Sequence, residues 1–573
     1  MRLIWDARNM APGTPLKKST PAFAALAILC AAFLHHAVAQ QPAVTVQLLA
    51  INDFHGNLEP PRGSDGLINQ APAGGAEYLA THLRNAIRGN PNSIVVAAGD
   101  LVGASPLISA LLHDEPTIEA MNAMNMSVSA IGNHELDHGP AELRVRMAGG
   151  CTGAETCSPS EMQEPAHYQY LAANMVAEDG KTILPATAIR TVGGVKIGFI
   201  GETLKETGDM VTPNATTGLQ FLEESSVANA AALELERQGV HAIVLLIHQG
   251  GRQETAQPRT PLGTALNPNG CENFEGPIKT IAEKLSPSIK VVISGHTHLF
   301  YNCEISGHIV TSASAFGRMF TRIALTIDPA NDSIVSAKAT NEIVTRDVPK
   351  DPAITAIIEK YRPAALRVAN QPIGSVTADI TRTPNAAGES ALGDVISDAQ
   401  LASVSAPDKG GAAVAFMNAG GIRTNLLGPS DGAATRDVSY GDLYAAQPFG
   451  NQVIVKTMTG DMLRRLLEQQ LAAVGDARLQ ISAGFTYQYH LNAATGQRVV
   501  PGSIKLNGRA LQPTDSVRVE ASDFLYQGGN GLTVFREATN PVSGPSDIEA
   551  LSDYVRAHSP LSPPPLNRIQ RLD

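Results

Sequence analysis

Five short apolar runs in the first half of the chain each end directly before side chains that can bind a metal ion. The runs are Val46–Ile51, Ile94–Ala98, Val128–Ile131, Ile243–Ile247 and Val291–Ile293. Helical patterns lie between them, for example the one that places Leu79, Leu83 and Ile87 on a single face. This alternation predicts an α/β fold, and polar groups at the carboxyl ends of strands are where such sheets build sites.

The side chains that follow the five runs are all Asp, Asn or His. They are Asp53 and His55, then Asp100, then Asn133 and His134, then His248, and finally His296 and His298. A lone Asp after a strand is usually a turn former or a helix cap, and a lone His is usually a surface or core residue. Five such endings in succession are poorly explained by chance, so they predict a metal site.

These residue types suit a pair of divalent ions. Two ions about 3.5–4 Å apart can hold a phosphoryl group and generate a hydroxide for in-line attack. Such a site needs one carboxylate that bridges both ions, and imidazoles, a carboxylate and an amide oxygen to complete the ligand shells. Imidazole and carboxylate together admit Zn, Mn, Fe, Co or Ni. The absence of Cys excludes a thiolate-rich structural zinc site.

The order Asp-x-His, Gly-Asp, Gly-Asn-His-Glu, His, Gly-His-x-His resembles the calcineurin-like metallophosphoesterase family. Asn52–Gly56, Gly132–Asp137 and Gly295–His298 are similar to its 5′-nucleotidase branch, which includes bacterial periplasmic UDP-sugar hydrolases. The resemblance covers nearly the whole chain after the N-terminus. It implies an N-terminal four-layer α-β-β-α sandwich and a C-terminal α/β substrate-binding domain.

The same resemblance implies two divalent metal ions (Zn, Mn, Co or similar) and divides the ligands between them. One ion would take Asp53, His55, Asp100 and His298, and the other Asp100, Asn133, His248 and His296. His134 is implied as the group that stabilises the transferring phosphoryl group and protonates the leaving oxygen. Asp137 would orient the His134 imidazole, as carboxylates commonly do.

Three segments in the second half combine glycines with an amide, a guanidinium or a phenylalanine: 418–423, 447–451 and 522–531. Taken alone, both phenylalanines read as core residues. The resemblance instead implies that Phe449 and Phe524 sandwich a nucleobase, a sequence-tolerant form of recognition. It also implies a base contact for Asn418, a phosphate contact for Arg423, a sugar contact for Asn530 and a second phosphate contact for Arg382.

The first 39 residues are typical of a secretory signal peptide. Basic residues precede an apolar stretch from Pro21 to Leu34, and Ala37–Ala39 offers a cleavage site. A short N-terminal core helix is the alternative. The predicted organisation is a signal peptide at 1–39, a metallophosphoesterase domain at 43–335, a linker with a helix at 336–368 and a 5′-nucleotidase C-terminal domain at 369–573. We therefore predict a periplasmic protein without stable membrane insertion.

Charge and cysteines restrict the partners and the compartment. Loss of 1–39 removes four basic residues and one acidic residue, which takes the formal net charge from −11 to −14. An acidic chain is a poor binder of polymeric nucleic acid, so a small nucleotide and a monomer or weak dimer are expected. Four cysteines remain, with three possible pairings. Closeness in sequence favours Cys151–Cys157 and Cys271–Cys303, and free buried thiols are the alternative.

The function that these observations predict is an exported 5′-nucleotidase acting on nucleoside monophosphates, with nucleotide sugars and 2′,3′-cyclic nucleotides as further candidate substrates. A thiosulfohydrolase of the sulfur-oxidation type, on the same scaffold, is the alternative reaction class. A nucleotide-binding module with a decayed site is the non-enzymatic alternative, and the complete set of ligands argues against it.

Overall fold

The computed structural model describes residues 42–150, 164–211, 213–253, 267–430, 432–472 and 478–573. Contacts divide the chain into two units, Met1–Pro42 and Ala43–Asp573. The predicted signal peptide and the predicted Cys151–Cys157 disulfide lie outside the described residues. The unit from Ala43 to Asp573 contains all the helices and strands that the structure describes.

The first part of this unit holds strands β1–β16 and helices α1–α7. The strands are β1 (Val44–Ile51), β2 (Leu67–Ile68), β3 (Ala71–Pro72), β4 (Ser93–Ala98), β5 (Met126–Ala130), β6 (Gln169–Leu171), β7 (Met175–Ala177), β8 (Thr187–Val192), β9 (Val195–Thr203), β10 (Leu219–Phe221), β11 (Ala242–His248), β12 (Ile289–Ser294), β13 (Phe300–Ile305), β14 (His308–Ala313), β15 (Met319–Asp328) and β16 (Ser333–Ile343). The helices are α1 (Ala76–Gly89), α2 (Leu107–Ala110), α3 (Glu115–Ala123), α4 (Gly139–Ala148), α5 (Thr207–Met210), α6 (Glu224–Arg237) and α7 (Pro277–Ala282).

Two six-stranded sheets form the centre of this part, in the orders β16-β15-β1-β4-β5-β6 and β13-β14-β12-β11-β9-β8. Leu48 and Val96 of the first sheet share one buried core with Phe199 and Leu246 of the second, so the sheets pack face to face. Helix α1 covers the outer face of the first sheet, and α6 and α7 cover that of the second. This is the four-layer α-β-β-α sandwich that the resemblance implied.

Helix α8 (Pro352–Ala369) connects the two parts. It begins at Pro352, and the Asp351 side chain accepts hydrogen bonds from the N–H groups of Ala353 and Ile354, which satisfies two donors of the first turn. Its apolar face, which includes Ile354 and Ile358, joins the core that also holds α1. Strand β16 pairs with β15 as far as Ile343, past the position 335 at which the sequence placed the end of the first domain.

The second part contains a five-stranded sheet in the order β21-β18-β25-β20-β26, with helices on both faces. Its strands are β17 (Pro372–Val376), β18 (Val414–Met417), β19 (Arg436–Ser439), β20 (Gln452–Thr459), β21 (Gln480–Ile481), β22 (Phe485–Tyr489), β23 (Lys505–Leu506), β24 (Arg509–Ala510), β25 (Ser516–Ser522), β26 (Thr539–Ser546) and β27 (Ile569–Arg571). Its helices are α9 (Ala391–Val404), α10 (Tyr440–Ala446), α11 (Gly460–Ala472), α12 (Asp523–Tyr526) and α13 (Asp547–Ala557). The predicted C-terminal α/β architecture is thus present.

A disulfide joins Cys271 to Cys303 on β13, with 5.1 Å between the two Cα atoms. This confirms the second predicted pairing. Within the described ranges, none of the helices combines the length and apolar character that a bilayer-spanning segment requires.

Candidate functional site

The predicted metal ligands lie at the carboxyl ends of five strands that come from both central sheets. Strands β1, β4 and β5 run parallel in one sheet, and β11 and β12 run parallel in the other, so their ends point to the same edge of the sandwich. Each strand stops a few residues before its ligand, or at the ligand in the case of His248. The face-to-face packing of the sheets then brings groups from distant parts of the chain together.

Asp100 lies close to one imidazole from each of the two implied ligand sets. Its Oδ2 atom lies 2.9 Å from Nε2 of His248 and 3.5 Å from Nε2 of His55. The first imidazole belongs to one implied set and the second to the other. Asp100 therefore lies between the two predicted ligand sets.

Ligand atoms of Asp53, His55 and His298 form one group, and those of Asp53, Asp100 and His248 form another; within each group all atoms lie within 4.8 Å of one another. Nε2 of His298 is 3.4 Å from Oδ1 of Asp53 and 3.0 Å from Nε2 of His55. His296 joins this cluster through its ring, whose centroid is 5.3 Å from that of His248.

The backbone at these positions is strained. Asp53, His55, Asp100, His296 and His298 all have positive φ values, between 47° and 71°. Non-glycine residues seldom adopt this left-handed conformation, and where they do the surrounding structure has to enforce it. Residues in such conformations cluster at functional sites.

Backbone carbonyls orient two of the imidazoles. Nδ1 of His248 donates to the carbonyl of Ala98 at 2.8 Å, and Nδ1 of His55 donates to that of Gly103 at 2.8 Å. With Nδ1 held by a carbonyl, Nε2 is the ring nitrogen that faces the carboxylates. This is the ring orientation that a metal ligand needs, fixed by the hydrogen bond on the far side of the ring.

The charge states of four of these groups suit metal binding. Burial holds the pKa of His55 and of His298 well below the usual range and lowers the pKa of His296 to about 3, so these rings are neutral near pH 7. Burial alone would raise the pKa of Asp100, but the neighbouring His248 and His134 hold it well below its usual value. Burial would lower the pKa of His248, but Asp100 in turn raises that pKa to about 10, so this ring carries a proton near pH 7 that a divalent cation has to displace on binding.

Asn133 supplies an independent sign of a cation. Its side chain is 3% exposed, and its Oδ1 atom is buried without a hydrogen-bond partner. A buried amide oxygen normally has a partner because leaving it unpaired costs free energy. An amide oxygen, two carboxylates and four imidazoles form a donor set that fits two divalent ions of the kind the sequence implied.

His134 and Asp137 form a hydrogen-bonded pair beside this cluster. Nδ1 of His134 lies 2.8 Å from Oδ2 of Asp137 and 3.0 Å from Oδ1. Burial would lower the pKa of His134, but the charges of Asp137 and Asp100 outweigh it and raise that pKa. The backbone N–H of His134 also donates to Oδ1 of Asp100 at 2.9 Å, so the pair is tied directly to the candidate shared ligand.

A cavity of about 490 Å³ opens next to the cluster and is lined by residues from both parts of the chain. Asn133, His134, Asp137 and His296 line it from the first part. Asn418, Arg423, Phe449, Phe524 and Asn530 line it from the second. The structure therefore brings the predicted catalytic pair and five of the six predicted substrate residues to one space, of a size typical of small-molecule sites.

Arg423 is the main cationic group on the second side. Its Nη2 atom is buried without a hydrogen-bond partner, and burial lowers the pKa of the guanidinium. The guanidinium lies over the Phe449 ring, 5.8 Å from its centroid. An unpaired buried guanidinium nitrogen next to a metal-ligand cluster is suited to a phosphate oxygen.

The two predicted clamp rings differ in their surroundings. Phe449 stacks on the His134 imidazole, with 5.6 Å between centroids and 23° between planes. Phe524 is 8% exposed and packs against Gly529, where a Cβ atom would come within 2.4 Å of the ring. Both rings line the cavity, but Phe449 also touches the predicted catalytic histidine, which the sequence did not indicate.

Arg382 does not line this cavity. Its guanidinium lies 3.7 Å from Oδ1 of Asp65 and donates to the carbonyl of Ile422. The phosphate contact was suggested for Arg382 because this residue lies near a family motif along the chain. In the structure its side chain does not reach the cavity.

Glu135 had no predicted role, although it stands in the Gly132–Glu135 motif. Its carboxylate is 1% exposed and accepts hydrogen bonds from the loops that follow β4 and β5. The sequence does contain a signal for this role. Glu135 is an acidic residue next to a predicted ligand, in a segment predicted to be buried, and a buried carboxylate needs hydrogen-bond partners.

Comparison with known proteins finds relatives over most of the chain. The profile of the calcineurin-like phosphoesterases matches residues 46–300, and that of the 5′-nucleotidase C-terminal domain matches residues 369–537. Cell wall protein Lmo0130 of Listeria monocytogenes is 32% identical over 91% of this chain and 68% of its own length. Endonuclease YhcR of Bacillus subtilis is 30% identical over 91% of this chain, which spans 40% of the length of that relative.

Two solved structures share the fold. A 5′-nucleotidase precursor from Thermus thermophilus aligns with a TM-score of 0.74 at 23% identity, covering 92% of this chain and 100% of the other. The sulfate thiohydrolase SoxB of the same species aligns with a TM-score of 0.68 at 17% identity, covering 92% and 96%. The alternative reaction class is thus represented by a more distant neighbour. The chain belongs to the 5′-nucleotidase branch of the calcineurin-like phosphoesterases, which are hydrolases of phosphoric esters.

Proposed function

We propose that the protein is an exported, metal-dependent 5′-nucleotidase that releases phosphate from nucleoside monophosphates. The observation that carries this proposal is the cavity between the metal-ligand cluster of the first part and the aromatic and guanidinium groups of the second. A nucleotide has both a phosphate and a flat base, and this cavity offers a partner for each.

The metal-binding role falls to seven residues of the first part. One ion would be held by Asp53, His55, Asp100 and His298, and the other by Asp100, Asn133, His248 and His296. When bound, two divalent ions would neutralise phosphoryl oxygens and lower the pKa of water to allow attack near neutral pH.

His134 acts on the phosphoryl group and the leaving oxygen, and Asp137 orients its ring. Asp137 holds Nδ1 of His134, which leaves Nε2 to face the cavity. A protonated His134 can donate to a phosphoryl oxygen and then pass its proton to the departing ribose oxygen. Arg423, with its unpaired Nη2, binds a phosphate oxygen and offsets the charge that develops there.

The nucleoside is bound by the second part. Phe449 and Phe524 would stack on the base, Asn418 would meet its edge, and Asn530 would contact the sugar. Stacking and the few polar contacts favour nucleotides broadly, so nucleotide sugars and 2′,3′-cyclic nucleotides are included as candidate substrates. Arg382 would reach phosphate only if its contact with Asp65 opened, so we assign it the smallest contribution to substrate binding.

The proposal extends to compartment and organisation. The Cys271–Cys303 disulfide supports an oxidising compartment, as expected for a periplasmic protein whose signal peptide is residues 1–39. We propose the predicted scheme of 43–335, 336–368 and 369–573 with one change, which is that the first domain ends at Ile343, the last residue of β16. A monomer or weak dimer that acts on small nucleotides, not on polymeric nucleic acid, is the proposed working form.

Product formation from AMP, UDP-glucose, 2′,3′-cyclic AMP, an aryl phosphate and single-stranded DNA, separated by chromatography, tests the proposal. Protein reconstituted with Mn²⁺ should turn over AMP fastest, and chelated protein should turn over none of them. Cleavage of DNA at a rate above that of AMP would overturn the proposed substrate class. Thiosulfate-ester hydrolysis with inert AMP would favour the reaction class of SoxB instead.

A further inference from the structure

Glu135 is a buried carboxylate whose two oxygens both accept hydrogen bonds from the backbone. Oε2 accepts from the N–H of Asp100 at 2.9 Å and from that of Gly132 at 2.6 Å. Oε1 accepts from the N–H of Leu101 at 2.8 Å and from that of Val102 at 3.4 Å. One side chain therefore satisfies four donors, three in the loop after β4 and one in the loop after β5.

Those two loops have no sheet ladder to hold them together. The pairing of β4 with β5 ends at Ala98 and Ala130, just before the loops that carry Asp100 and Asn133. Beyond that point, a hydrogen bond from the N–H of His134 to Oδ1 of Asp100 gives a second link between the loops. The Glu135 carboxylate therefore links the two loops beyond the point where the strand pairing ends.

The loops also approach closely enough to need glycines. A Cβ atom on Gly99 would lie 2.5 Å from the N atom of Gly132, and one on Gly132 would lie 2.1 Å from Oδ1 of Asp100. Asp100 itself has a φ of 51°, a conformation that its surroundings have to impose. Hydrogen bonds that fix the N–H groups of Asp100 and its successors are a direct means of imposing it.

We propose that Glu135 is a positioning residue that sets the distance and orientation between Asp100 and the Asn133–His134 pair, and thereby the affinity for the divalent ions. Glu135 contacts neither substrate nor ion in this role; it acts through the backbone of the residues that do. The inference rests on the proposed metal-dependent function, because it concerns how this chain builds that same centre.

Glu135→Gln is the variant that tests the inference, because it keeps the shape and places an NH₂ group against backbone donors. Glu389→Gln is a matched control: Glu389 is also fully buried and accepts from the N–H groups of Asn567, Arg568 and Ile569, far along the chain from the cluster. Mn²⁺ affinity is measured by titrating the chelated proteins, and the melting temperature of each metal-free protein is recorded. Both variants should melt earlier than wild type.

Only Glu135→Gln should weaken Mn²⁺ binding, by about 10- to 100-fold, the range common when a group that orients ligands is lost. Its kcat for AMP at saturating Mn²⁺ should fall while KM stays near the wild-type value, because the nucleoside contacts remain. If Glu135→Gln does not fold, Glu135→Asp is measured in its place, and its shorter reach should also weaken Mn²⁺ binding. Wild-type Mn²⁺ affinity in the folded variant would overturn the inference, whereas a wild-type protein that binds none of Mn²⁺, Zn²⁺ and Co²⁺ would overturn the proposed function itself.

Discussion

The two parts of the molecule bring their groups to the cavity by different structural means. In the first part, Asp53, Asp100 and His248 stand at strand ends, are at most 1% exposed, and are held by hydrogen bonds to neighbouring loops. In the second part, Arg423 and Phe449 stand in loops and are only partly buried, and Phe524 lies in a helix of four residues. One side of the cavity is built from fully buried groups at strand ends, and the other from loops and a short helix.

This difference corresponds to a division of labour. Ligands of metal ions have to be placed within fractions of an ångström, which strands and a strained backbone achieve. Recognition of a base by stacking tolerates small shifts of the rings, and loops vary readily. Hydrolysis should therefore depend on the first part for every substrate, and on the second part only for substrates that carry a nucleoside.

The largest effect is expected when the shared ligand is weakened. Asp100→Asn should lower kcat/KM for AMP by roughly 10³-fold, since about 4 kcal/mol of stabilisation by the ions is at stake. An aryl phosphate should lose as much, because the loss lies in the first part. Bound metal and phosphate release are measured together, with exposed Asp553→Asn as the control. Near-normal turnover of either substrate by a metal-depleted Asp100→Asn protein would contradict the account.

Asp137→Asn should have the next effect, about 10- to 100-fold on kcat, because an amide orients the His134 ring less well than a carboxylate. The loss should again be equal for AMP and for an aryl phosphate, and KM should change little. Asp209→Asn, an exposed change on α5, serves as the control. A loss of kcat confined to AMP would show that Asp137 serves nucleoside binding, contrary to the division of labour described above.

Phe524→Ala should affect one substrate class only. Stacking on a base contributes about 1–3 kcal/mol, so kcat/KM for AMP should fall by roughly one to two decades and that for an aryl phosphate far less. Phe524→Leu keeps apolar volume without an aromatic face and should lose nearly as much AMP activity as Phe524→Ala. Equal losses on both substrates would return the ring to a packing role.

Phe449→Ala tests the division of labour between the two parts, because this ring lies in the second part and stacks on His134 of the first. Its stacking on His134 means that an aryl phosphate should also be affected, though less than AMP. We expect kcat/KM for AMP to fall by about tenfold because stacking on the base is lost. The ratio of the two losses, compared with the ratio for Phe524→Ala, separates base binding from support of His134. Identical ratios for the two variants would show that the contact with His134 has no functional weight.

Removal of the Cys271–Cys303 disulfide should affect stability and leave catalysis almost unchanged. The bridge joins cysteines 32 residues apart along the chain, and such a closure stabilises a fold by roughly 3–4 kcal/mol. Chemical denaturation of the Cys271→Ser/Cys303→Ser double variant measures the loss, with kcat for AMP as the companion value. A fall in kcat as large as that of Asp137→Asn would show that the bridge positions His296 and His298.

The sequence predicted the first part of the site better than the second. Asp53, Asp100 and His248 could be assigned because each follows an apolar run, and parallel strands bring their ends to one edge. The left-handed backbone at Asp100 and the four hydrogen bonds to Glu135 could not, because they depend on how two loops meet in space.

In the second part, no periodic pattern connects a loop residue to the cavity. Phe449 and Phe524 were assigned by resemblance alone, and the stacking of Phe449 on His134 was not foreseen because it joins residues from different parts of the chain. Arg382 shows the limit most plainly. It lies near a motif along the chain, yet its guanidinium meets Asp65 instead of the cavity.

One cavity should join a pair of metal ions held by the first part to a nucleoside held by the second. Anomalous diffraction from crystals soaked in Mn²⁺ and adenosine is the measurement that decides this. Two Mn²⁺ peaks should share Asp100, with Asn133 beside one and His55 beside the other, and an adenine ring should stack on Phe524. A single peak that does not contact Asp100, or adenosine bound away from Phe524 with both Mn²⁺ ions in place, would contradict this arrangement.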